Sequence, residues 1–218
     1  MTLGGMYTFT VYARDNASPA NWSSRVFASI AIPSPDVTPP TTMATGIPAG
    51  WSKKPVTVTF VASDAGGSGV AYTQYSLDGG AFAQGSQCVV STTGSHTLAF
   101  HSVDNAGNLE AMQTAGVNID LAGPLTAAKA KVIVKHGRKA TFRFRVSDLT
   151  PTASVKIKIY KGSKVKKTLN VGSKPTGSWQ SYKWTCKLAE GSYTWKVYAT
   201  DLAGNVQKSI AKKALVVN

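Results

Sequence analysis

The stretch "YTWKVYATDLAGN", Tyr193 to Asn205, decides the fold that we predict for this chain. Apolar or aromatic side chains recur at every second position from Tyr193, with other side chains between them. Alternation with a period of two is typical of a half-buried β-strand. The closing "DLAGN" predicts a turn, because Asp201 can accept backbone N–H groups and glycine tolerates positive φ. The stretch therefore predicts one strand, and the turn that follows it, in an antiparallel sheet.

This phrase occurs three times in the chain. Its relatives are "HTLAFHSVDNAGN" from His96 and "YTFTVYARDNASP" from Tyr7. Each copy has a glycine two residues before it and an aspartate ten residues after that glycine; the pairs are Gly5 and Asp15, Gly94 and Asp104, and Gly191 and Asp201. The glycines are 89 residues apart (5 to 94) and 97 residues apart (94 to 191). A period of that length indicates one whole β-sandwich per repeat.

Other stretches repeat with the same period. "TVTFVASD" (57–64) parallels "TFRFRVSD" (141–148), and the Pro-containing stretches 34–42 and 118–126 are typical of linkers. The predicted fold class is all-β, with tandem antiparallel sandwiches at 36–120 and 121–218. Residues 1–35 hold only the last two strands of a further domain, which cannot bury a core alone.

The incomplete first domain has two explanations, and both remain open. Either these residues are part of a longer protein, or a neighbouring copy supplies the missing strands by strand complementation. Head-to-tail complementation does not close on itself and would build a filament.

Charge is distributed unevenly along the chain. The net charge is +14. Residues 36–120 carry two Lys against six acids, a net of −4, whereas residues 121–218 carry 17 Lys and 3 Arg against three acids, a net of +17. Such a field attracts polyanions. The predominance of Lys over Arg favours bulk attraction to an anionic polymer over the reading of a sequence.

The stretches "GWSKKPVTVTFVASDAGGSGVAYTQYSLDGG" and "TTGSHTLAFHSVDNAGNLE" resemble the bacterial immunoglobulin-like (Ig-like) repeats of large secreted and cell-surface proteins. The pattern Tyr-x-apolar-x-apolar-x-Ala-x-Asp also resembles strand F of fibronectin type III domains. The resemblance is good over 36–120, looser over 121–218 and partial over 1–35. It implies Ig-like sandwiches, an extracellular or cell-surface location, and a role as a spacer, an adhesive module or an accessory domain of an exported enzyme.

Six aspartates are candidate calcium ligands. Asp36 and Asp120 lie in the linkers, and an aspartate that ends the second strand follows 28 residues later in each domain, at Asp64 and Asp148. The sixth strands end at Asp104 and Asp201. In an Ig-like sandwich the loops after strands two and six lie at the same end, so three carboxylates should converge at each domain junction and offer the oxygen ligands that Ca²⁺ requires. The alternative is that each aspartate caps only its own turn.

A second candidate site is basic. Alternation in the last domain places several cationic side chains outward, where they would contact an anionic wall polymer, an acidic polysaccharide, a nucleic acid or the acidic domain of another copy. These residues are Arg143, Arg145, Lys156, Lys158, Lys164, Lys166, Lys167 and Lys196. The alternative is that the lysines serve solubility and keep strand edges from pairing with other chains.

Catalytic chemistry has no support in the sequence. The three histidines have no metal-ligand spacing, and His96 is predicted to pack inward as the counterpart of Tyr193. Cys88 and Cys186 fall on the same strand of two different domains, which excludes a disulfide within one domain and predicts buried free thiols, with a bridge between two chains as the alternative. Exposed Trp22, Trp51 and Trp179 are either hydrophobic plugs at domain ends or platforms for sugar rings.

We therefore predict a non-catalytic extracellular structural protein, either a tandem Ig-like spacer or adhesive region or a subunit of a surface filament. Its expected partners are other copies of itself, adjacent domains of a longer chain, or an anionic surface polymer. The alternative is a glycan-binding or anionic-polymer-binding accessory region of a larger secreted enzyme. No apolar run is long enough to span a membrane. The first residues lack the features of a signal peptide, so we expect any export signal to lie outside them or to have been removed.

Overall fold

The computed structural model describes residues 5–32, 34–65 and 67–218, and this part of the chain contains strands, turns and bends but no helix. Residues 1–4 and 33, which fall in the predicted partial domain, and residue 66 lie outside the described residues. The predicted all-β architecture is confirmed: strands β1 and β2 form a separate hairpin, and the later strands form two sandwiches.

The N-terminal hairpin consists of β1 (Gly5–Val11) and β2 (Val26–Ile32). The strands pair antiparallel, with Gly5 opposite Ile32, and every residue in them is exposed. Directly opposed residues of an antiparallel pair share a face. One face of the hairpin is therefore entirely apolar apart from its glycine; it carries Tyr7, Phe9, Val11, Val26, Ala28, Ile30 and Ile32.

The next eight strands form what we call the acidic sandwich. They are β3 (Thr41–Thr45), β4 (Trp51–Ser52), β5 (Val56–Ser63), β6 (Val70–Leu77), β7 (Ala83–Gln84), β8 (Gln87–Val90), β9 (Gly94–Asp104) and β10 (Gln113–Ile119). Sheet order is β3-β5-β8 in one layer and β4-β10-β9-β6-β7 in the other. All pairs are antiparallel except β4 with β10.

The last eight strands form the basic sandwich with the same topology. They are β11 (Leu125–Ala128), β12 (Val132–Val134), β13 (Lys139–Ser147), β14 (Thr152–Lys161), β15 (Lys164–Pro175), β16 (Trp179–Thr185), β17 (Gly191–Asp201) and β18 (Lys212–Val217). The layers are β11-β13-β16 and β12-β18-β17-β14-β15, and β12 again runs parallel to β18. The stretch from Tyr193 to Asn205 forms most of strand β17 and the turn after it.

Each sandwich has its own apolar core between its two layers. In the acidic sandwich Phe60 of β5 meets Phe100 of β9, with ring centroids 5.0 Å apart. In the basic sandwich Phe142 of β13 meets Trp195 of β17 edge-on at 5.1 Å. Strands β13 and β17 alternate strictly between buried and less buried positions, as the period of two predicts. Cys88 and Cys186 are buried free thiols.

The three copies of the phrase occupy equivalent places in their sheets. The leading glycine of each copy pairs with the last residue of the strand that follows it in the chain. The pairs are Gly5 with Ile32, Gly94 with Ile119 and Gly191 with Val217. The N-terminal hairpin therefore matches the last two strands of each sandwich. It has no described counterpart of the other strands.

Candidate functional site

The six predicted aspartates form two clusters. The first cluster joins Asp36, Asp64 and Asp104, and the second joins Asp120, Asp148 and Asp201. In each cluster one carboxylate oxygen from every aspartate lies within 4.8 Å of the other two. The convergence follows from topology, because the loops that leave β5 and β9, or β13 and β17, open at the same end of the sandwich as the incoming linker.

The aspartates at the ends of strands β9 and β17 each accept two hydrogen bonds from an asparagine. The backbone N–H of Asn205 donates to Asp201 Oδ1 at 2.8 Å, and its Nδ2 donates to Asp201 Oδ2 at 2.9 Å. Asn108 makes the same two bonds to Asp104, at 2.7 and 2.8 Å. We call this arrangement the Asp–Asn clasp. It closes the turn after the strand and fixes the orientation of the carboxylate.

The N-terminal hairpin contains the same clasp. Asn21 donates its backbone N–H to Asp15 Oδ1 at 2.8 Å and its Nδ2 to Asp15 Oδ2 at 3.1 Å. The sequence did not predict this role for Asn21, because six residues separate it from Asp15, whereas four separate the other two pairs. The signal was an asparagine a few residues after the repeated aspartate in all three copies.

The clasps also attach the linkers to the sandwiches. Asn108 Nδ2 donates to the carbonyl oxygen of Asp36 at 3.2 Å, and Asn205 Nδ2 donates to that of Asp120 at 2.7 Å. Each linker aspartate is thus held by its backbone next to the strand-end aspartate of the sandwich that it enters. The linker after Asp120 is packed so tightly that a Cβ at Gly123 would lie 2.3 Å from the carbonyl oxygen of Val206.

In the first cluster the charges of the carboxylates are compensated by internal hydrogen bonds. Asp36 accepts from Thr38 and Ser68, and these bonds lower the pKa of Asp36 well below its usual range. Burial acts to raise the pKa of Asp104, but the bonds from Asn108 outweigh it and the pKa is lowered. Asp64 accepts from the hydroxyl of Ser68 and the N–H of Gly69.

In the second cluster one carboxylate oxygen is left over. Asp120 is 1% exposed, and its Oδ1 accepts the N–H of Ala122, but its Oδ2 is buried with no hydrogen-bond partner. Burial, together with the nearby carboxylates of Asp148 and Asp201, raises the pKa of Asp120. A buried carboxylate oxygen without a donor is costly, and a cation bound among the three aspartates would remove that cost.

The chemistry of the second cluster fits Ca²⁺. The cluster offers three carboxylates at the entry of a linker, and Ca²⁺ takes six to eight oxygen ligands in flexible geometry, with water supplying those that the protein does not. Asp120, Asp148 and Asp201 are the residues that would hold the ion.

Two residues that the sequence analysis did not predict hold the turns next to the aspartate clusters by hydrogen bonds. Glu110 and Gln207 each lie six residues after the strand-end aspartate and are both 7% exposed. Glu110 accepts from the N–H and hydroxyl of Thr42, at 2.7 and 2.6 Å, and from the N–H of Ser102 at 3.0 Å. Gln207 accepts from the N–H of Ala199 and donates to the carbonyl oxygen of Val197. Their shared offset was the signal that could have identified them.

The predicted basic residues do not form one patch. Arg143 and Arg145 are exposed on the outer face of the layer β11-β13-β16, which we call the Arg143 face. Lys156, Lys158 and Lys196 belong to strands β14 and β17 of the other layer, and we call its outer surface the Tyr198 face. Lys164, Lys166 and Lys167 are exposed on the edge strand β15.

On the Tyr198 face the ammonium groups lie over aromatic rings. Lys158 and Lys196 are directly opposed across the strands, and both are half-buried. Lys158 Nζ lies 4.8 Å from the ring centroid of Tyr198, and Lys196 Nζ lies 4.5 Å from that of Tyr160. The tyrosine hydroxyls bond to each other at 2.7 Å; burial and this bond raise the pKa of Tyr198 to about 12. The two lysines and the two tyrosines of this cluster therefore contact one another.

The Arg143 face is open. Lys129 Nζ and the Arg145 guanidinium each lie 5.6 Å from the ring centroid of Trp179, which is 41% exposed. A groove of about 210 Å³ lies next to Arg143, and its lining also includes Lys129 and Lys131. The other predicted platforms differ: Trp51 is half-buried in β4, and Trp22 packs edge-on against Tyr12 at 4.9 Å.

Comparison with known proteins confirms the class of the fold. Residues 135–217 match the family model of the bacterial Ig-like domain, Big_13. The matched residues lie in the basic sandwich, although the sequence motifs resembled the family less closely there than in the acidic sandwich. The comparison with curated proteins gave no match. Domains of this class are typically extracellular structural or adhesive modules and are usually not catalytic.

Several solved structures are similar at low identity. The fibronectin(III)-like modules of Clostridium thermocellum CbhA are 14% identical, with 82% of this chain and 94% of that chain covered and a TM-score of 0.41. An I-band fragment of titin is 13% identical, covering 83% and 66%, with a TM-score of 0.46. The FN1–FN3 domains of chicken CNTN1 are 13% identical, covering 97% and 77%, with a TM-score of 0.38. The described part of the chain offers no helix that is long and apolar enough to cross a membrane.

Proposed function

We propose that this chain is a non-catalytic extracellular spacer in which Ca²⁺ stiffens the junction between the acidic and the basic sandwich. The observation that carries the proposal is the buried Asp120 Oδ2, which has no hydrogen-bond partner although two further carboxylates lie beside it. Asp120 belongs to the linker, whereas Asp148 and Asp201 belong to the basic sandwich. An ion that binds all three would tie the linker to the sandwich and restrict motion at the junction.

The first cluster is proposed as a weaker calcium site. Both oxygens of its linker aspartate, Asp36, already accept hydrogen bonds, from Thr38 and Ser68, so an ion would replace or share bonds that exist, whereas Asp120 Oδ2 has none. The second cluster should therefore bind first.

Calorimetric titration and thermal unfolding test this proposal. Affinities of extracellular calcium modules suggest a working concentration of about 5 mM Ca²⁺. We expect binding heat and a rise in melting temperature that EDTA reverses. Asp120→Asn should lose most of this rise, whereas Asp36→Asn, the equivalent change in the first cluster, should keep it. No binding heat and no change in melting temperature at this concentration would overturn the proposal.

A specific observation favours a second function, assembly by strand complementation. The N-terminal hairpin exposes a continuous apolar face, with Phe9 56% and Ile30 57% exposed, and two strands cannot cover such a face themselves. We propose as the second candidate that another copy of the chain covers this face and that repetition of the contact builds a surface filament.

A further inference from the structure

We propose that the Arg143 face binds a carboxylated polysaccharide, with the guanidinium groups of Arg143 and Arg145 pairing with uronate carboxylates. This inference rests on the extracellular location in the proposed function but not on calcium. Within residues 67–218, no Lys or Arg forms an ion pair; the only ion pair there joins His96 and Asp78. The positive charge of the basic sandwich is therefore not neutralised by its own acids.

We place the binding site on the Arg143 face and not on the Tyr198 face because its cationic side chains are more exposed. Lys158 and Lys196 on the Tyr198 face are half-buried and lie over tyrosine rings that bond to each other. Arg143 and Arg145 are exposed, and Trp179, over which the Arg145 guanidinium lies, is itself 41% exposed, so both guanidinium groups remain accessible. A guanidinium group binds a carboxylate through two parallel N–H bonds, which an ammonium group cannot do.

The shape of the Arg143 face fits an extended chain. Arg143 and Arg145 are two residues apart on one strand, a distance of about 7 Å, and so present a row of donors along β13. The groove beside them adds Lys129 and Lys131. Trp179 stands opposite Arg145 on the neighbouring strand and offers an edge of apolar surface to a sugar ring.

The same features argue against a nucleic acid. Platforms for single strands stack successive bases on several aromatic rings, and double-stranded DNA is read by elements that enter its grooves. Among the described residues of strands β11, β13 and β16, Trp179 is the one exposed aromatic side chain, so the Arg143 face has no row of rings on which successive bases could stack.

The test compares two double variants that remove equal charge from opposite faces. Binding of the full chain to immobilised polygalacturonate is measured in EDTA, so that calcium plays no part. At about 150 mM NaCl, Arg143→Ser with Arg145→Ser should weaken binding about tenfold, as expected for two exposed ion pairs. Lys156→Ser with Lys158→Ser should leave it within about twofold, because these lysines lie on the other face and the remaining positive charge still attracts the polymer.

A third variant separates geometry from charge. Arg143→Lys with Arg145→Lys keeps every charge but loses the bidentate donors, and we expect it to bind more weakly than the native chain but more tightly than the serine variant. Equal losses in the two serine variants would show attraction by net charge alone and would overturn the proposal. Tighter binding of oligo(dT) than of polygalacturonate, or self-association that the arginine substitutions abolish, would instead assign the face to nucleic acid or to a second copy and would also overturn it. None of these outcomes bears on the calcium junction.

Discussion

At the residue scale, His96 shows how one substitution in a repeated phrase changes its chemistry. Tyr193 donates its hydroxyl to the carbonyl oxygen of Ala189, four residues earlier, at 2.9 Å. His96 Nε2 reaches the carbonyl oxygen of Thr92, also four residues earlier, at 2.9 Å, while its Nδ1 lies 2.7 Å from Asp78 Oδ2. Both partners are oxygens that accept, so the protonated ring can donate from both nitrogens and is favoured at this position. His96 thus has a structural role, as predicted, but through hydrogen bonds as well as packing.

This geometry predicts a pH-dependent stability. The bond to Asp78 is the largest cause that raises the pKa of His96 above its model-compound value of 6.5. The stabilisation is therefore complete below about pH 6.5 and is lost as the pH rises through the raised pKa. Urea unfolding of the native chain should give lower stability at about pH 8.5 than at about pH 5.5. His96→Tyr, which restores the residue of the other copies, should remove this difference. An unchanged pH dependence in that variant would contradict the assignment.

At the element scale, the linker into the basic sandwich is held by close backbone packing. A Cβ at Gly123 would lie 2.3 Å from Val206 O and 2.8 Å from Val206 C, and backbone atoms at such distances have no cheap way to move. Beside this contact, Asn205 bonds to the linker carbonyl at Asp120. The linker and the turn after β17 therefore form one packed unit.

Gly123→Ala should accordingly destabilise the chain by about 2 kcal/mol or more, the range expected for overpacking against a rigid neighbour. Gly50→Ala is the matched control, because nothing lies within 4 Å of its added Cβ. We expect the control to change the free energy of unfolding by less than about 0.5 kcal/mol. Denaturant titration measures both. Equal stability of the two variants would mean that the linker leaves this contact readily.

At the scale of the whole molecule, the apolar face of the N-terminal hairpin is exposed, because no described part of the chain covers it. Phe9 lies on this face and is 56% exposed, whereas Phe27 lies on the opposite face and is 65% exposed. The two residues have the same side chain in the same hairpin, so they separate the effect of a face from that of hydrophobicity in general.

If a second copy covers the apolar face, Phe9→Ser should weaken self-association by about tenfold or more, because burial of a phenylalanine side chain contributes about 1.5–3 kcal/mol. Phe27→Ser should leave association nearly unchanged. Sedimentation velocity over a range of concentrations measures the effect. A native chain that sediments as a monomer at every concentration would exclude the filament.

The sequence by itself determined the strands, their inward and outward residues and the repetition of one sandwich plan, because period-two alternation and turn residues act over a few neighbouring positions. It also placed the six aspartates at strand ends and linkers, and topology then predicted that they converge. Only the tertiary structure decided which contacts complete each site. Hydrogen bonds satisfy the first cluster and leave Asp120 Oδ2 without a partner in the second, and the predicted basic residues divide between two layers. Those outcomes depend on donors and strands that are distant in the chain, which no local pattern of residues specifies.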